Sequence, residues 1–218
     1  MLKVGEKGAI PQRDKETYAI APHIPCGVVT PDLLRKIADV AEKYKVHALK
    51  ITGAARIAIV GLKEEDIDQA WEDLGMSHGA AVGMCVRSIR ACPGNTFCKL
   101  GLQDALRVAT ILDERYHGVN LKGKFKMAVS GCRLSCAESW VRDVGLIGDK
   151  KGWKLVIGGN VGPVPRIAKE LAVDLTDDGV LEAVDKVVVY YNENAKTGER
   201  LGKMVERVGL EPFKAVIA

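Results

Sequence analysis

Aromatic side chains make up only 5% of the 218 residues, while glycine occurs 23 times. That balance suits an α/β protein with close backbone approaches better than a β-sandwich. No apolar run is long enough to span a membrane. The polar opening, "MLKVGEKGAIPQRDKE", has no apolar segment of a signal peptide. The expected compartment is therefore the cytoplasm, where thiols stay reduced. Charge of one sign is also in short supply. The net charge is +4, with no dense Lys/Arg run and no aromatic stripe of the RNA-binding kind, which excludes nucleic acid as the expected partner. A mild positive balance still favours the approach of an anionic substrate or an acidic electron donor. No Cys-x-x-Cys occurs, so a thioredoxin-like pair is excluded.

What is present is enough chain for one large domain or two small ones with real cores. "TYAIAPHIP" reads as a strand. "TPDLLRKIADVAEKY" reads as a helix, with Thr30 as N-cap, Pro31 in the first turn, and Leu33, Leu34, Ile37, Ala41 and Tyr44 on one face. "VHALKIT" and "ARIAIVG" alternate as paired strands joined at Gly53, and "KEEDIDQAWEDLG" is a helix stopped by Gly75. The order β-α-β-β-α over residues 17 to 75 suggests part of a ferredoxin-like unit. After the joint "SHGAAVG" come a turn-rich "ACPGNTFCKLG", the helix "LQDALRVATILDERYHG", and the strands "KFKMAVSG", "DVGLIG" and "WKLVIGG". Two amphipathic helices follow, "GVLEAVDKVVVYYNENA" and "GERLGKMVERVG". The expected class is α+β: a ferredoxin-like half-unit over residues 1–76, then an α/β domain over 77–218.

Four of the six cysteines form two pairs, Cys92-x5-Cys98 and Cys132-x3-Cys136, each set in Gly, Pro or Ser turn chemistry. Such turns can point sulfurs inward and offer backbone N–H groups to cluster sulfides. Four thiolates suit a cubane iron–sulfur cluster. A four-cysteine zinc site is the other metal reading, though zinc pairs usually have tighter spacings. Buried structural thiols are the plainer alternative, and the better reading for Cys26 and Cys85, which have no sequence partner.

"CPGNTFC" and "SGCRLSC", followed by "VGLIG" and "GGN", resemble the sirohaem–[4Fe–4S] sulfite and nitrite reductases. So does the upstream pair "IPCGVVTPDLLRKIADVAEKY" and "LKITGAARIAIVGL", taking the likeness over roughly residues 17 to 175. The length matches the small, single-repeat members. The resemblance implies that Cys92, Cys98, Cys132 and Cys136 hold the cluster and that Cys136 also bridges to sirohaem. It implies that Lys124 and Lys126, two residues apart on one strand face, meet the anion. Arg87 and Arg90 are implied as arginines for the anion or for a sirohaem carboxylate. Arg56 is implied for a carboxylate, Arg133 would lie beside the cluster, and Gly158, Gly159 and Asn160 would approach the macrocycle. Two positions depart from the family pattern. Arg133-Leu134-Ser135 stands where Pro-Asn is usual, and His23 stands where an anion-binding arginine is often found.

Without a flavin or nicotinamide fingerprint, electrons are expected from a separate carrier protein. Lys126 and Cys132 would lie about 20 Å apart on an extended strand. That separation raises the expectation of a homodimer sharing its lysines across the interface. The activity implied is six-electron reduction of sulfite to sulfide. The alternatives are nitrite reduction, or electron transfer by a cluster alone.

Overall fold

The computed structural model describes residues 1–218. The chain forms two compact units, Met1–Gly83 and Met84–Ala218. The division lies a few residues beyond the expected 76. Residues of the joint pack back on the first unit: His78 stacks on Trp71 with ring centroids 5.5 Å apart, and Val82 lies against Gly5.

The first unit has strands β1 (Ala9–Pro11), β2 (Tyr18–Ile20), β3 (Ala48–Ile51) and β4 (Ile57–Leu62), with helices α1 (Pro31–Lys43) and α2 (Ile67–Leu74). The sheet order is β1-β2-β4-β3, antiparallel throughout. Thr30 caps α1, its Oγ1 accepting the Leu33 N–H at 3.2 Å. The buried face of α1 differs from the expectation by one position. Ile37 and Val40 enter the core, Leu33 and Tyr44 flank it, and Leu34 stays 43% exposed. The stripe runs i, i+4, i+7, i+11 from Leu33, which excludes Leu34. Gly75 ends α2 in a left-handed conformation, φ 65°. The strand expected from "TYAIAPHIP" spans only Tyr18–Ile20. Cys26 and Cys85 are both buried.

The second unit has strands β5 (Val86–Ala91), β6 (Phe125–Ser130), β7 (Val144–Asp149), β8 (Gly152–Ile157) and β9 (Lys169–Leu175). Its helices are α3 (Gly94–Phe97), α4 (Ala105–Tyr116), α5 (Asp177–Asn194), α6 (Leu201–Val208) and α7 (Glu211–Ile217). The sheet order follows the chain, β5 to β9. β5, β6 and β7 are parallel, and β8 and β9 turn antiparallel. Sequence patterning missed β5, β9 and α7. In β5 two arginines and a register shift between Val86 and Ser88 break the period-two signal. No helix is long and apolar enough to cross a membrane.

Candidate active site

In open sheets with parallel strands, ligands collect beyond the carboxyl ends of those strands. Both cysteine pairs lie there. Cys92 directly follows β5, its N–H donating to Val129 O at 3.1 Å, and Cys132 stands two residues beyond the end of neighbouring β6. The single turn of α3 carries the chain from Cys92 to Cys98, whose N–H donates to Gly94 O at 2.9 Å. Cys92, Cys98 and Cys132 are half-buried and Cys136 is exposed. The Gly131 N–H points at Cys92 Sγ, 3.1 Å away. This is the backbone-donor environment that a cluster thiolate requires.

Glycines hold the loops back to back. A β-carbon on Gly101 would lie 2.3 Å from Gly94 C, one on Gly131 2.7 Å from Gly94 Cα, and one on Gly148 2.5 Å from Gly131 O. No side chain fits between these backbones, so the two cysteine loops are drawn to one place. No three His, Cys, Asp or Glu side chains converge on a point for a single metal ion. A cubane makes a different demand, one cysteine at each of four separate irons. Four thiols on two adjoining loops with an N–H aimed at a sulfur match that donor set.

Polar groups fasten the second loop to the sheet. The Ala137 N–H donates to Ser130 Oγ at 3.2 Å, Ser130 Oγ lies 2.8 Å from Ser139 Oγ, and Ser139 Oγ donates to Leu146 O at 2.9 Å. Both serines are fully buried, and the chain of hydroxyls satisfies each of them. The turn at Ser139–Val141 then lies flat on β7 because residue 145 is glycine. A β-carbon there would meet Ser139 O at 2.2 Å. Gly145→Ala should therefore cost roughly 2–4 kcal/mol of stability, read by urea denaturation. Of the unusual loop residues, Arg133 and Leu134 point outward, the former 4.0 Å from Asp149. Ser135 shapes the loop instead. Its left-handed backbone, φ 53°, turns the chain, and its Oγ accepts the Ser139 N–H at 3.2 Å.

Cations gather on the same two strands. The β5 bulge inserts Arg87 between residues paired with Phe125 and Lys126. Arg87, Lys124 and Lys126 are half-buried and act on one another electrostatically. Burial pushes Lys126 down to about 8, with Arg142, Lys124, Arg200 and Arg87 adding to the shift. Burial, then Arg200 and Arg87, lowers Lys124. Burial also lowers Arg87 and Arg142.

Two carboxylates balance them. Asp143 is wholly buried; it accepts Arg200 Nε at 2.8 Å, Arg200 Nη2 at 2.6 Å, and the Lys126 backbone N–H at 2.8 Å. Burial pushes its carboxyl up against the opposing pull of Arg200. Glu138 accepts Arg90 Nη1 at 2.8 Å and also Arg142 Nη2. Sequence reasoning missed Glu138, Arg142, Asp143 and Arg200. The charged pair Arg142-Asp143 directly before the apolar strand "VGLIG" was a readable signal. Arg200, far along the chain, had none.

Other sequence candidates are held by the protein itself. A β-carbon on Gly159 would lie 2.4 Å from Trp140 O, and one on Gly202 would lie 2.3 Å from Gly158 O. The close approaches at Gly158 and Gly159 are thus made by this chain's own backbone. Asn160 is buried, with Nδ2 donating to Val164 O at 3.0 Å and Oδ1 unpartnered. His23 and Arg56 belong to the first unit. Arg56 is 2% exposed, and its Nη1 donates to Ala21 O at 2.8 Å.

Residues 82–218 match the nitrite and sulphite reductase 4Fe-4S domain, and residues 10–77 match the nitrite/sulfite reductase ferredoxin-like half domain. The chain is 44% identical over 211 residues to an assimilatory-type sulfite reductase of Nitratidesulfovibrio vulgaris, covering 97% of each. It is 40% identical over 201 residues to a nitrite reductase [NAD(P)H] of Bacillus subtilis, covering 92% of this chain but only 25% of that one. Two solved structures share the fold over 92% of this chain. Dissimilatory sulfite reductase I has a TM-score of 0.81 at 15% identity, with 69% of it covered. The NirA protein of Mycobacterium tuberculosis scores 0.80 at 19% identity, with 39% covered.

Proposed function

The chain belongs to the nitrite and sulphite reductase family, and from that premise we propose that it is a sirohaem–[4Fe–4S] enzyme reducing sulfite to sulfide. The observation that carries this reading is one pair of adjacent parallel strands that bears two cysteine loops beyond its carboxyl ends and a half-buried cation cluster at its amino ends. An electron carrier needs the cysteines but has no use for the cations. Bound, the sirohaem and the cluster supply the electrons that no side chain can.

This chain's residues do the rest. Cys92, Cys98, Cys132 and Cys136 would hold the cluster, and Cys136 would also offer its thiolate to the sirohaem. Arg87, Lys124 and Lys126 draw in the anion and offset its charge. As the sulfite oxygens leave as water, protons are needed, and Lys126, lowered to about 8, can give one up near neutral pH. Asp143 and Arg200 orient that lysine's strand. Arg90 and Arg133 are the candidates in this unit for the macrocycle's carboxylates. Electrons come from a separate donor protein.

The spacing of Lys126 and Cys132 along one strand keeps a homodimer that shares its lysines across the interface within the proposal. After Cys136 the backbone doubles back, so that Asp143 binds the Lys126 N–H and Arg142 acts on its ammonium. Nitrite is the second reading, favoured by the 40% identical relative; a cation-lined site accepts either anion.

The direct test is metal, sulfide and sirohaem analysis of anaerobically purified protein, with turnover of sulfite and nitrite from a chemical donor. A colourless zinc protein would sink the proposal. The pH dependence supplies a further expectation. Lys126 is charged below about pH 8 and neutral above it. KM for nitrite, whose own pKa lies far lower, should rise above pH 8, approaching about tenfold per pH unit. Lys126→Arg should flatten that rise, because arginine stays protonated. The stability linkage has its own sign. Burial disfavours the ammonium, so its cost is full below about pH 8 and fades as pH climbs towards the ordinary 10.5.

A further inference from the structure

Glu138 has an unusual position. It stands two residues after Cys136, and its main partner, Arg90, stands two residues before Cys92. One ion pair therefore links the strand entering the first cysteine pair to the segment leaving the second. The same Oε2 accepts Arg142, whose side chain is only 7% exposed, acts electrostatically on Lys126 and has no other carboxylate hydrogen-bonded to it.

The backbone points the same way. Glu138 has φ 63° and ψ 40°, a left-handed conformation that glycine adopts freely and glutamate does not. Its own N–H closes the loop on Ser135 O at 2.7 Å, which aims the carboxylate back at β5. The serine hydroxyl chain fastens the loop to β6 and β7, and Glu138 adds the link to β5.

We propose that Glu138 is a positioning residue, a carboxylate staple between Arg90 and Arg142 that sets the distance between the two cysteine loops and holds Cys136 in place for the cluster. The inference rests on the reading of the cysteines as cluster ligands, but its mechanical part concerns the polypeptide alone. Charge-assisted pairs with partly buried arginines are strong enough to control local opening.

The test is made on the full chain. In cofactor-free protein, Glu138→Gln should speed amide hydrogen exchange over residues 132–139 roughly five- to tenfold, while exchange in α4 and α5 stays unchanged. In cofactor-loaded protein, iron release to a chelator should quicken by about the same factor. In the cycle with Arg90→Gln, run on cofactor-free protein, the double variant should exchange no faster than Glu138→Gln alone, because Glu138→Gln already breaks the link that Arg90→Gln removes.

Unchanged exchange in Glu138→Gln overturns the staple. So does a rise spread across the whole sheet, which marks general destabilisation, and so do effects of the two substitutions that multiply. A local rise in a wild-type fold that takes up no cluster leaves the staple standing and refutes the cofactor assignment instead.

Discussion

Chains carrying serine at Cys132 or Cys136 are expected to be purified folded but without an intact cluster, and with turnover lower by about a thousandfold or more. A serine hydroxyl is not ionised near neutral pH and cannot replace a thiolate on iron. The fold should survive because other groups hold the loop: the Ser130–Ser139 hydroxyl chain, the Gly145 contact and the stacked glycines. The two variants should also differ. Cys132→Ser removes one corner of the cluster, whereas Cys136→Ser additionally removes the proposed thiolate towards sirohaem. Iron and acid-labile sulfide assays, with the visible spectrum, separate them. Wild-type iron content in both variants would remove these cysteines from the ligand set.

Asp143→Asn should be the most destabilising polar substitution in the second unit, by about 3–5 kcal/mol. The aspartate is fully buried and accepts three N–H groups, two from Arg200 and one from the Lys126 backbone. Asparagine offers one oxygen and turns an NH2 towards a donor, leaving Arg200 partly uncompensated among Lys124, Lys126 and Arg87. Urea denaturation measures the loss. The proposed anion site should suffer with it, because Asp143 fixes the β6 backbone beneath Lys126. A stability loss below about 1 kcal/mol would mean that solvent or another group replaces the pair.

Much of the fold was readable where local chemistry dictates it. Thr30 and Pro31 announced α1, Gly75 announced the end of α2, and the β3–β4 hairpin followed from alternation. Unreadable elements were those whose pattern is overwritten. Strand β5 carries Arg87 on a bulge and Arg90 in regular register. The all-exposed edge strand β3 shows that alternation can be present without sorting residues into core and solvent. At the site, Lys124, Lys126 and the cysteines were visible because they cluster in sequence. Glu138 and Asp143 were less so, since a carboxylate near an arginine in sequence is usually a solvated surface pair.

The sequence by itself determined which side chains are candidates for the site's chemistry. Cysteine spacing, turn residues and the lysine pair are local properties, written within a few residues of one another. Only the tertiary structure decided how they are wired together. Parallel pairing of β5 with β6 brings loops about forty residues apart to one end of a sheet, and glycines set their separation. It also places Arg200 on Asp143, and Glu138 between Arg90 and Arg142. Electrostatic balance depends on distance through space, which no spacing along the chain records. The residues that frame "VSGCRLSC" are therefore legible only once the chain has folded back over its own strand.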